Sequence, residues 1–324
     1  MKRETLQQIQ ALRENKSALA VVLHVGSTFA FLGLAFYAMA HSSNWLTSLA
    51  AFGVIGFMQY RLVMAIHEAT HKNLFYPVAL NEALGKIICG MIGMNLALYR
   101  KSHLQHHKAP QTIGEDVDAQ IYQPPLEANP GLHRMFVLFT GVLTDTARKF
   151  IRKFSSKPQF NHKAIETKPD YLQLGLILVA QAGLFAFFWK YLHWWNYFTH
   201  WAVPLVLVAQ LLDRIRTFVE HGYNFFHLPD APSIEELPQT TVDIETNFFE
   251  QYLFAPYGFD MHLAHHTQLT VPFYRLKKLS QILQQQERDY SKPIRGSYLR
   301  ILWQMIFAER KLVRAPQQRV AVAS

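Results

Sequence analysis

The sequence predicts an all-α integral membrane protein: four transmembrane helices in two hairpins, re-entrant or interfacial helices, and a cytoplasmic helical cap. Three observations carry this expectation. Half of the 324 residues are hydrophobic and 17% are charged, against roughly 25% charged in an ordinary soluble domain. Mean hydropathy is +0.01, too low for a chain made only of spans. Lys and Arg collect at alternate ends of the apolar runs, as they do when one side of a membrane retains positive charge.

Residues 18–40 carry no acid or base except His24. At 1.5 Å per residue they reach about 34 Å, enough for a hydrocarbon core of about 30 Å. The run begins at Ala18 and is too long for the apolar region of a signal peptide, so it is expected to remain as a span. Residues 45–66 form the second run, with Gln59, Tyr60 and Arg61 in its last third. Residues 83–98 hold Lys86, three glycines and Asn95, and read as a re-entrant or interfacial helix. Residues 171–189 and 194–212 are the third and fourth runs. Trp194, Trp195, Tyr197 and Trp201 cluster where these two meet, as an interfacial aromatic belt does. Residues 296–313 read as an amphipathic helix. Strand-like alternation is nowhere sustained.

Orientation follows from the loops. Lys2, Arg3, Arg13 and Lys16 precede the first run, no Lys or Arg lies in 41–44, and eleven lie between Tyr99 and Asp170. Basic residues return after Leu212. Both termini and the long segments are expected on the cytoplasmic side, in the inner membrane if the source is bacterial. Residues 1–324 read as a single membrane domain. Net charge is +9, but this distribution explains it without a nucleic-acid partner. The one cysteine, Cys89, excludes an intramolecular disulfide, a Cys-ligated zinc site and an iron–sulfur cluster held by this chain alone.

Sixteen histidines remain to be explained. Three clusters stand out: His67-Glu68-Ala69-Thr70-His71, His103-Leu104-Gln105-His106-His107 and His262-Leu263-Ala264-His265-His266. Spacings of three and four place each set on one helical face. All three fall on the cytoplasmic side of a topology derived without reference to histidine. Eight imidazoles exceed the four ligands of one zinc and suit two metals. Imidazole alone does not choose the metal. A site at a membrane face, reached by apolar substrate and without a nucleophile constellation, favours redox metal and dioxygen over zinc, hence a di-iron centre. The competing pattern is His67-Glu68-x-x-His71, formally the HExxH zinc protease signature. That reading leaves both HxxHH clusters without a role. A metal sensor or transporter would want polar ligands within the spans. His24, His41, His133, His162, His193 and His200 read as interfacial or loop residues.

With these residues in place, the sequence resembles the integral-membrane fatty acid desaturase superfamily, bacterial type, which includes related hydroxylases and carotenoid ketolases. The resemblance covers residues 59–279. The three clusters match in order and spacing, as do Tyr99-Arg100, Glu115-Asp116-Val117-Asp118, the segment Arg216 to His221, and Val271-Pro272-Phe273-Tyr274-Arg275-Leu276. Asp260 stands where many members have Asn, and Ala264 where Glu is frequent. The resemblance implies two iron ions, O2 as co-substrate, a membrane lipid or other acyl substrate, and oxygen-dependent desaturation, with hydroxylation or ketolation the alternative. No cytochrome b5-like segment is visible, so it also implies an external electron carrier of ferredoxin, rubredoxin or cytochrome b5 type. His221, nine residues past Leu212, resembles the extra histidine outside the clusters in related enzymes, and is the expected ninth ligand. Gly222 is expected to stop its helix. Glu68, Asp116, Asp118, Glu220 and Asp260 are the carboxylates expected to orient ligating rings, with Arg100 pairing one of them or a lipid phosphate. The groove for the acyl chain is expected along residues 83–98 and the cytoplasmic span ends.

Overall fold

Ser17 and Asn44 open the first two long helices by accepting hydrogen bonds from Ala20 N and Leu46 N at 3.2 and 2.9 Å, the usual role of Ser and Asn at a helix start. The computed structural model describes residues 3–14, 16–112, 115–152, 170–228, 234, 237 and 240–312. A short helix α1 (Arg3–Glu14) precedes the hairpin of α2 (Ala18–His41) and α3 (Trp45–Thr70), followed by α4 (Val78–Ile92), α5 (Leu96–Lys108), α6 (Ala119–Glu127), α7 (Leu132–Arg152) and α8 (Tyr171–Tyr191). Residues 196–227 are helical throughout. They pass through two π-helical segments, Phe198–Ala202 and Leu205–Ala209, and end as α9 (Gln210–His227). Then come β1 (Ile244–Glu245), α10 (Phe248–Phe254), α11 (His262–Thr267), α12 (Leu276–Gln286), β2 (Ile294–Arg295) and α13 (Tyr298–Phe307). The two short strands pair in parallel, Ile244 with Ile294.

Among the described residues, α2, α3 and α8 are long and apolar enough to cross a membrane. α2 and α8 leave much of their apolar surface exposed, Leu34 at 61% and Val179 at 72%, whereas α3 is mostly buried. The fourth expected run is helical but wound differently. Pro204 lies between the two π segments and has no N–H to give the preceding turn. The polypeptide then continues into α9 without a break, beyond Gly222. The expected stop is therefore corrected: Gly222 faces Met305, whose Cε would lie 2.9 Å from an added Cβ, so it serves packing.

Two other boundaries differ from expectation. The apolar run 83–98 is two helices. Gly93 takes φ +72° to end α4, a conformation glycine adopts freely, and Asn95 caps α5 through Leu98 N at 2.9 Å. The terminal amphipathic helix stops at Phe307, short of the expected 313, because the buried Arg134 guanidinium takes the carbonyls of Met305 and Ala308 at 2.6 and 2.8 Å. Val313 lies outside the described residues, as do His162 and part of the basic stretch before Asp170. α7, which supplies Arg134, has no counterpart in the sequence reading.

α3 is the axis of the fold, packing on α2, α4, α5 and both π segments. It approaches the second π segment closely at Gly56, where an added Cβ would lie 2.4 Å from Val208 Cβ. α3 and the helix leading to α9 thus run side by side toward the histidine clusters.

Candidate metal centre

Four helices bring histidine to one place. α3 extends one turn past its expected end and carries His67, with His71 as its C-cap. Arg100 on α5 closes that helix end. Its guanidinium donates to the carbonyls of Thr70 and Ala69, both at 3.0 Å, satisfying orphan acceptors at the negative end of the helix. The same group pairs with Glu82 at 2.7 and 3.0 Å. Glu82, rather than any of the five expected carboxylates, is its partner, and the pair ties α4 and α5 to the end of α3.

α5 carries His103, His106 and His107, α9 carries His221, and α11 carries His262, His265 and His266. α11 is only six residues long and is held at its start by Asp243. One oxygen of that buried carboxylate accepts from Leu263 N and Ala264 N at 2.8 and 3.1 Å. The other accepts from the hydroxyls of Ser280 and Tyr290 at 2.7 and 2.5 Å.

The nine histidines fall into two groups. His67, His71, His103, His107 and His265 form one, and His106, His221, His262 and His266 the other; within each, one ring nitrogen per residue lies within 4.8 Å of the rest. Two ligands facing each other across one metal sit about 4 Å apart. Neighbouring Nε2 atoms approach to 3.0 Å between His71 and His103, 2.9 Å between His103 and His107, and 3.2 Å between His262 and His221. Helical geometry sorts the histidines. Residues i and i+4 share a side, so His103 and His107 enter one group, and His262 and His266 the other. The i+3 residues, His106 and His265, cross over. His107 and His266, with ring centroids 4.3 Å apart, link the two groups.

The donor set fits a metal. His67 Nδ1 faces Glu68 at 3.2 Å, while its Nε2, inside the first group, is buried with no hydrogen-bond partner. Such an unpaired acceptor costs about 1–3 kcal/mol unless a donor or a metal meets its lone pair. Burial pushes His71 and His221 down to about 3 and lowers His103, His107, His262, His265 and His266 as well. Neutral imidazoles are the ligating form.

The carboxylates divide by what they touch. Asp116 Oδ1 meets His106 Nδ1 at 2.7 Å. Burial opposes the charge, but the contact with His106 holds the Asp116 carboxyl down at about 2. Asp118 stands 3.7 Å from the same nitrogen. Glu220 lies 3.6 Å from His262 Nδ1 and accepts from Arg216 and Tyr298 at 2.8 and 2.9 Å; burial still raises it to about 8. Glu68 holds His67 and the Phe273 N–H at 3.3 Å, so both its oxygens are engaged away from the role of a protease base. Asp260 departs from expectation: its partner is Gln251 Nε2 at 2.8 Å, because its side chain turns toward α10 rather than the rings.

Three residues with no sequence signal complete the second group. Tyr122 stacks on His221, centroids 5.3 Å apart, and donates to Asp116 at 2.5 Å. Gln111 donates its backbone N–H to Asp116 at 2.8 Å and its amide to the carbonyls of His221 and Thr240, both at 3.1 Å. Asp243 is the third.

The fatty acid desaturase family profile matches residues 43–298. The chain is 23% identical over 280 residues, 82% of its length and 73% of the relative's, to an sn-1 acyl-lipid omega-3 desaturase (ferredoxin) from Nostoc sp. (strain 36). It is 33% identical over 93 residues, 28% of each chain, to a sphingolipid delta(4)-desaturase DES1-like protein from Arabidopsis thaliana. A membrane chain with apolar helices, clustered histidines and a family match across most of its length belongs to the fatty acid desaturase family.

Proposed function

We propose that this protein is an oxygen-dependent acyl-lipid desaturase working at a di-iron centre. The observation that carries the reading is the division of nine buried or half-buried histidines into groups of five and four, each compact enough for one metal. One iron would be held by His67, His71, His103, His107 and His265, the other by His106, His221, His262 and His266. Bound iron would supply the oxidising power of dioxygen: two adjacent methylenes lose one hydrogen each, and O2 with two electrons and two protons leaves as two waters.

The chain's own residues do the rest. Glu68 and Asp116 fix the orientation of the His67 and His106 rings from outside the groups, which is how outer carboxylates tune metal ligands, and Asp118 and Glu220 stand 3.7 and 3.6 Å from ring nitrogens of His106 and His262. The buried surroundings keep bulk water from the rings. Electrons would come from a separate carrier, and the Nostoc relative, whose name includes ferredoxin, favours a carrier of that type. We read the π-wound segment before α9 as the fourth span, giving two hairpins, both termini cytoplasmic and one domain over 1–324, in the inner membrane if the source is bacterial.

The test is lipid mass spectrometry of a host with and without the gene. A lipid lighter by two hydrogens supports desaturation; one heavier by a single oxygen makes the protein a hydroxylase and overturns the proposal.

A further inference from the structure

α10 is a piece of the cytoplasmic cap that touches a membrane span. Tyr252 packs edge-on against Phe57 of α3 with centroids 5.3 Å apart, and the Arg61 guanidinium lies over the same ring at 4.4 Å. Tyr60 donates to the Phe254 carbonyl at 2.5 Å. Phe57 stands thirteen residues before the end of α3 at Thr70, about 20 Å along the helix. α10 is therefore level with the apolar part of the span, not with its cytoplasmic end.

The outward side of α10 is Phe248 and Phe249, 71% and 80% exposed, with Leu253 beside them. Phe249 is the most exposed large apolar side chain among the described residues. Single exposed apolar residues are ordinary, whereas adjacent ones at this height share the medium of the spans' own outer faces. No Lys or Arg occurs in residues 217–274, so α10 itself offers no cation to lipid phosphates. We propose that Phe248 and Phe249 insert among the acyl chains of the cytoplasmic leaflet, making α10 a non-spanning anchor of the cap. The inference rests on α3 crossing the bilayer.

The anchor has a geometric consequence. α10 follows β1 directly, and the residue before β1 is Asp243, which holds the start of α11. Gln251 of α10 holds Asp260, two residues ahead of His262. The depth of α10 in the leaflet thereby sets the height of the third histidine cluster beneath the membrane.

The experiment is depth-resolved quenching in phosphatidylcholine vesicles. Cys89 is buried, so Phe249→Cys supplies the accessible thiol for an environment-sensitive fluorophore. A second variant, Leu34→Cys on the outer face of α2, reports whether the spans are in the bilayer. Loss of emission from both labels with acyl-brominated phosphatidylcholine, and none with aqueous iodide, is the expected result. Quenching of the Leu34 label by lipid, with the Phe249 label answering only to iodide, would overturn the anchor and leave the spans standing. Failure of both labels to respond to brominated lipid would remove the spanning reading itself, and the anchor with it. Protection of the Phe249 label from both quenchers, with disulfide-linked dimers of that variant, would assign the patch to a second copy and overturn the anchor.

Discussion

His106 and Asp116 form the tightest imidazole–carboxylate contact of the centre, 2.7 Å from Nδ1 to Oδ1 with both side chains buried. The contact fixes which ring nitrogen is left for the four-histidine group. Asp116 is in turn held by Tyr122, Gln111 and the Asp118 N–H, the last at 2.9 Å. Asp116→Ala removes the acceptor from all of them. Loss of such a carboxylate typically lowers metal affinity or activity by about 10–100-fold. Metal analysis of the purified variant should show iron lost from one group with membrane insertion unchanged. Wild-type iron content and turnover in Asp116→Ala would sink this assignment.

Asp243 should matter for stability as much as for the site. Asp243→Ala leaves two helix-start N–H groups and two buried hydroxyls without their acceptor. The cost is on the order of 2–4 kcal/mol, combining a lost cap with unsatisfied donors. Asp243→Asn should recover most of it, because an amide oxygen still accepts from Leu263 and Ala264 while the Ser280 and Tyr290 hydroxyls turn to accept from its NH2. Thermal unfolding in detergent distinguishes the two. Equal midpoints for the Ala and Asn variants would contradict the capping role.

Gly56 and Gly53 sit one turn apart on α3 but in different surroundings. A Cβ at Gly56 would lie 2.4 Å from Val208, whereas at Gly53 nothing lies within 4 Å. Gly56→Ala should therefore cost about 1–3 kcal/mol through overpacking. Gly53→Ala should be neutral or gain up to about 1 kcal/mol in helix propensity. The unfolding midpoint should fall for Gly56→Ala and hold or rise for Gly53→Ala. A neutral Gly56→Ala would mean that α3 and the π-wound helix are not in close contact.

The histidine clusters were legible because helical spacing is written in the chain: i, i+3 and i+4 identify a face without any tertiary information. His221 could be anticipated from its distance past the fourth apolar run. Which histidine serves which group was not legible. The crossover of His106 and His265 depends on how α5 and α11 are rotated about one another. Tyr122, Gln111 and Asp243 were missed for the same reason, since each acts across long sequence separations. Asp260 misled because its place beside His262 suggested contact, while its side chain goes to Gln251. Arg134 and Arg100 were unreadable as caps because the carbonyls they serve belong to other helices. The π turns around Pro204 hid nothing of the fourth run's apolar character but changed its winding.

The unequal groups make a last prediction. The four-histidine group loses a quarter of its protein ligands if His221 is removed, and the remaining His106, His262 and His266 must hold a metal alone. The five-histidine group keeps four ligands after loss of His71, as many as a complete tetrahedral site requires. His221→Ala should therefore retain about one iron per chain and His71→Ala close to two, although both should lose most activity. His193, which stacks on Trp195 at 4.3 Å away from both groups, is the control and should keep full iron and turnover when replaced by Ala. Plasma mass spectrometry of iron against protein concentration, after gel filtration, reads all three. If His71→Ala and His221→Ala lose iron equally, the two groups do not bind metal independently. If neither loses any, the nine rings converge for some other reason.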